Sequence, residues 1–89
     1  MYSDNNQVKT NQKNNVFSLI EGRADTTYRV VKIDTDDMEM VDFLFTLGCY
    51  QDEEITIISM LSENVVLSIK DARYSIGWDL AQVIIVCEL

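Results

Sequence analysis

The chain has 89 residues, 47% apolar and 25% charged, with fifteen acids against seven bases and no histidine, for a net charge of −8. That length allows one small domain. The acidity argues against nucleic acid and anionic membrane surfaces, both of which need a basic footprint. With no histidine, imidazole ligands and imidazole bases are excluded, which leaves carboxylate or thiolate chemistry.

The longest apolar runs, residues 43–47 and 83–87, fall far short of the roughly 20 residues that cross a bilayer. Residues 1–6 show no basic flank followed by an apolar core, so no signal peptide is expected. Cys49 and Cys87 form no CxxC and read as reduced thiols of a cytosolic protein.

Five asparagines stand between Asn5 and Asn15, with Val8 the only aliphatic residue among them. Such a segment buries too little to offset backbone ordering of about 1–2 kcal/mol per residue. Residues 1–17 are therefore expected to form a flexible polar tail, and residues 18–89 the folded domain.

Tyr28 and Val30 alternate with polar neighbours in residues 28–33, the period of a strand. Asp34 to Asp37 interrupt it. Asp36 with Glu39 three residues later predicts a capping-box start, with acids at the positive end of the helix dipole. Met40, Val41, Leu44, Phe45 and Leu47 then recur at helical spacing as one apolar face. Gly48 falls where a helix ends in the left-handed conformation.

Three further strands are expected over residues 54–60, 65–70 and 73–76, with Ile55 and Ile57, then Val65, Leu67 and Ile69, as inward faces. Residues 77–81 allow one helical turn. Residues 83–87 are apolar throughout and predict a closing strand buried on both sides. One helix and five short strands are best accommodated as a small closed or nearly closed barrel, its edges hidden and the helix over one open end.

Ser18-Leu19-Ile20-Glu21, the strand from Tyr28 to Ile33 and Phe43-Leu44-Phe45-Thr46-Leu47-Gly48 resemble the opening of the FeoA family. Ile55-Thr56-Ile57, Ala72-Arg73-Tyr74-Ser75-Ile76, and Ala81 ahead of Ile84-Ile85-Val86 extend the resemblance. Its most specific piece is Leu44-Phe45-Thr46-Leu47-Gly48, the family's leucine-x-x-leucine-glycine. The chain departs from the family at two turns. Arg23-Ala24-Asp25 stands in place of a proline-glycine turn, and Gln51-Asp52-Glu53 in place of a glycine turn. Phe43 also stands where an arginine is usual.

The resemblance implies a mostly β, five-stranded SH3-like barrel with one short helix after the first strand. It implies a non-enzymatic cytosolic accessory protein of bacterial ferrous iron uptake, acting on a membrane permease with a GTP-binding domain. A related barrel closes metal-dependent repressors, but this chain has no DNA-binding helices.

The contact surface is expected at residues 47–51, with Leu47, Gly48, Tyr50 and Gln51 as partner-binding residues; Tyr50 offers a flat apolar body with a polar tip. Trp78 is either a lid on the barrel or part of a contact patch. No catalytic, cofactor-binding or metal-ligating residues are assigned. The alternative is a small carrier or sensor that binds ferrous ion directly through Asp34, Asp36, Asp37 and Glu39, or through Cys49. Against it, acids at a helix start are explained by capping. Two thiols are too few for a closed site, with Cys87 read as a small core residue and Cys49 as the more exposed. Iron binding by the accessory protein would be weak and screened by salt. An exposed edge strand or a free Cys49 would support dimers.

Overall fold

The computed structural model describes residues 15–89. Six strands, β1 Val16–Ser18, β2 Thr26–Ile33, β3 Glu54–Met60, β4 Asn64–Ile69, β5 Ala72–Gly77 and β6 Ile84–Glu88, form one antiparallel sheet in the order β1-β6-β2-β3-β4-β5. A 3-10 turn, Leu19–Glu21, follows β1, helix α1, Met38–Thr46, follows β2, and a short helix α2, Trp78–Gln82, joins β5 to β6.

The mostly β arrangement agrees with the sequence, with two differences. Among the described residues there are six strands rather than five, and the sheet is open rather than closed, with β1 and β5 at its edges. The extra strand is β1, which pairs Val16 with Cys87 and Phe17 with Val86. Val16 and Phe17 fall within the expected polar tail, and pairing with β6 draws them into the sheet. Residues 1–14 of that expected tail lie outside the described residues.

Strand periodicity sets the core. Tyr28, Val30, Ile55, Ile57, Val65, Leu67, Ile69, Ile76, Ile84 and Val86 point inward and are buried, joined by Leu19, Leu44, Cys49 and Ala81. Burying each large aliphatic side chain contributes about 1.5–3 kcal/mol. In β6 only Ile84 and Val86 are fully buried, while Ile85 and Cys87 are half-buried. The strand expected to be buried on both faces thus has one core face and one partly covered face. Gly22 permits a close approach beneath this core: a Cβ there would meet Ile57 Cδ1 and Tyr28 Cε2, each at 2.8 Å.

Helix α1 begins one residue later than the spacing predicted. Asp37, rather than Asp36, is the N-cap, its carboxylate accepting from the amides of Glu39 at 3.0 Å and Met40 at 3.4 Å. Nor does α1 act as a full plug. Only Leu44 of its apolar stripe is buried; Met40, Val41 and Leu47 are half-buried and Phe45 is exposed. The chain between β5 and β6 takes over part of that role. Helix α2 packs on the 3-10 turn, β4, β5 and β6 with Ala81 fully buried, and the Trp78 indole donates to the Leu61 carbonyl at 3.0 Å.

The turns that lack the family's glycines are made by aspartates in the left-handed region, Asp25 with φ 61° and Asp52 with φ 73°. Aspartate tolerates this conformation better than most residues because its short side chain bonds locally. Lys70 and Asp71, with φ 52° and 70°, form the two-residue turn between β4 and β5. Positive φ at both central positions is the signature of the type I′ hairpin, whose twist matches that of the strands.

Candidate functional site: the end of α1 and the loop after it

The end of α1 is a Schellman motif. Leu47 is the C-cap, Gly48 takes φ 98°, the Gly48 amide donates to Phe45 O at 2.9 Å and the Cys49 amide to Leu44 O at 3.0 Å. Such a motif carries a hydrophobic contact between its first and last residues. Here those residues are Leu44 and Cys49, both buried.

The following turn is fastened twice. The Glu53 amide donates to Tyr50 O at 3.0 Å and closes a turn through Gln51 and Asp52. The turn is then tied to β2, where the Val30 amide donates to Glu53 O and the Asp52 amide to Val30 O, both at 2.8 Å. The β2–β6 register shifts just beyond this point, between Val30 and Lys32. A bulge of that kind bends the strand and re-aims its side chains.

This framework sets the four residues singled out from the sequence. Leu47 is half-buried and packs against the core, and Gly48 is half-buried beneath it. Tyr50 is 47% exposed and lies against Phe45, which is 40% exposed, their ring centroids 5.2 Å apart and their planes inclined at 37°. Gln51 is exposed and lines, with Phe45, Val41, Val31, Lys32 and Ile33, a groove of about 230 Å³ between α1 and β2. The exposed residues here are therefore Phe45, Tyr50 and Gln51, with Leu47 and Gly48 half-buried. Phe45 escaped the sequence reading because its spacing fits the apolar stripe as well as Leu44 does.

The acidic run does not assemble into a ligand set. Asp37 is committed to the helix cap, and no group of three or more carboxylates and thiols suited to a metal ion occurs among the described residues. The thiols are the reverse of the expectation: Cys49 is fully buried and Cys87 half-buried. Desolvation pushes the Cys49 thiol from 9.0 up to about 12. Burial thus disfavours the thiolate form there. A second cleft, of about 420 Å³, lies over β2, β3 and β4, where Thr27 and Thr56 hydroxyls meet at 2.7 Å below Glu53 and Glu54. Its Glu53 is paired with Lys70 at 3.3 Å.

An open, mostly β sheet with a capped helix carrying exposed aromatic side chains defines a small domain of SH3-like fold. The FeoA domain model matches residues 17–87, and the chain belongs to that family. Family membership points to a small non-catalytic accessory protein of ferrous iron transport. Among solved structures, the chain resembles an iron uptake regulatory protein (FeoA), with 23% identity, a TM-score of 0.76 and coverage of 83% of this chain and 99% of that one. A FeoA-like protein from Clostridium acetobutylicum has 18% identity and a TM-score of 0.75, covering 83% and 87% respectively. A manganese-dependent transcriptional repressor has 22% identity and a TM-score of 0.77, covering 83% of this chain but 42% of the repressor's. No curated protein matches the chain. No helix among the described residues is long and apolar enough to cross a membrane.

Proposed function

We propose that this chain is a non-enzymatic regulator of ferrous iron uptake that works on the cytosolic side of the membrane. It would bind the cytosolic part of a GTP-binding ferrous iron permease through Phe45, Tyr50 and Gln51. The observation that carries this reading is the solvent-facing Phe45–Tyr50 pair, held beside a groove by a turn that is hydrogen-bonded at both ends. Exposed aromatics on a rigid support lose little side-chain entropy on binding and dominate interface energetics. Direct iron carriage is the weaker reading, since Cys49 is fully buried and Asp37 already serves the helix.

The test is a titration of the chain against the cytosolic domain of the cognate permease, with and without guanine nucleotide. Saturable binding that Tyr50→Ala weakens supports the proposal. Absence of binding in every nucleotide state overturns it, and tight ferrous binding by the isolated chain under anaerobic conditions would favour the carrier.

A further inference from the structure

A different groove lies on the other side of α1, between that helix and α2. It has a volume of about 340 Å³, and Met40, Phe43 and Leu80 give it apolar lining while Asp37, Glu39 and Asp79 add three carboxylates. Phe43 is 46% exposed and shares the groove with half-buried Met40 and Leu80. Adjacent exposed apolar residues rimmed by polar ones mark an interaction site, whereas single ones need no explanation.

The charges around the groove are of one sign. No lysine or arginine lines it, and none of its three carboxylates enters an ion pair among the described residues. The two ion pairs that do form, Arg29–Glu54 and Lys70–Glu53, lie elsewhere. An occupant must therefore be cationic to match the rim and apolar to cover the floor. Anionic lipid and nucleic acid have the wrong sign for this surface. A polyamine would answer the carboxylates but leave Phe43, Met40 and Leu80 uncovered.

We propose that the α1–α2 groove is a docking site for a cationic amphipathic segment of another polypeptide, one in which lysines or arginines are interspersed with large apolar side chains. The site shares no residue with the Phe45–Tyr50 surface and does not depend on what that surface binds.

The experiment uses the full chain and three labelled synthetic peptides: an amphipathic lysine–leucine peptide, an oligolysine of equal charge and a glutamate–leucine peptide. The lysine–leucine peptide is expected to bind about tenfold or more tighter than oligolysine, a difference of about 1.4 kcal/mol. The glutamate–leucine peptide should not bind. Amide shifts on binding should centre on Met40, Phe43, Asp79 and Leu80, a readout that needs no variant. Phe43→Ser and the double variant Glu39→Lys with Asp79→Lys should each weaken binding about tenfold, with far-ultraviolet circular dichroism unchanged. Equal affinity for oligolysine, shifts centred elsewhere, no binding, or variants without effect would overturn the proposal. So would concentration-dependent self-association abolished by Phe43→Ser, which would make the occupant a second copy of the chain.

Discussion

Cys49 donates its amide to the carbonyl of Leu44 at 3.0 Å, and both side chains are buried against the core. One hydrogen bond thus couples the end of α1 to the first residue of the loop that presents Tyr50. The coupling depends on Gly48, which alone in that stretch has positive φ.

Gly48→Val should therefore destabilise the domain. A β-branched residue in the left-handed region costs about 1–2 kcal/mol, and its Cβ would press to 3.3 Å from Ile69 Cγ2. Urea denaturation should show a lower midpoint with an unchanged slope, and Gly48→Asn should lose less. Melting like that of the parent chain would mean the helix does not end here.

The two thiols should differ in reactivity. With Cys49 fully buried and its thiol raised to about 12, a thiol reagent at pH 8 should label Cys87 first and Cys49 only at the rate of unfolding. Mass mapping of the labelled chain distinguishes the two. Fast labelling of Cys49 under native conditions would contradict its burial.

That raised value also sets a pH dependence. The folded state holds the Cys49 proton more tightly than the unfolded state, whose value is 9.0. Its contribution is therefore complete below pH 9 and is lost as pH rises from there to about 12. Stability of the parent chain should fall more steeply over that range than that of Cys49→Ala. Denaturant titrations of both at several pH values give the difference, and parallel curves would refute it.

The left-handed turns leave room for improvement. Replacing Asp71 by Gly, or Lys70 by Asn, should stabilise the hairpin by up to about 1 kcal/mol, because the present side chains resist the positive φ they occupy. For a domain of this size that corresponds to a rise of about 4–8 °C in melting temperature. The loss of the Lys70–Glu53 pair in Lys70→Asn should matter little, since the lysine side chain is 58% exposed.

Tyr50→Ala should leave the melting temperature nearly unchanged, because the residue is 47% exposed and its ring lies against Phe45, itself exposed. Its effect should fall on partner binding, by about 2 kcal/mol if the ring is a central anchor. A calorimetric titration beside a thermal melt separates the two effects.

Much of the fold was legible because period-two alternation leaves little freedom: Ile55 and Ile57, or Val65, Leu67 and Ile69, can all be buried only on one face. The cysteines were harder to place, since residues 83–87 are apolar throughout and hide their alternation, and Cys49 lies in no strand. Cys87 is one residue beyond Val86 and so turns outward, while Cys49 is drawn inward by the helix-ending motif. Strand β1 was missed because three residues offer no periodicity, and Phe17 gains its place by packing edge-on against Tyr28 at 5.5 Å. Tyr50 and Gln51 lie exposed just past the helix end, but spacing gave no way to separate exposed Phe45 from buried Leu44. Helical periodicity names a stripe, and only the angle at which the helix meets the sheet decides which edge of the stripe stays in water.

The position of β6 between β1 and β2 has a consequence for how the chain reaches this state. Of the described strands, β1 has no neighbour until β6 arrives, so the hairpins of the middle strands must form first and wait. Folding should then be governed by one late, long-range event, on the slow side for a chain of this length. Removing the last few residues of β6 should release β1 and leave one edge of β2 unpaired, while β3 still holds the other.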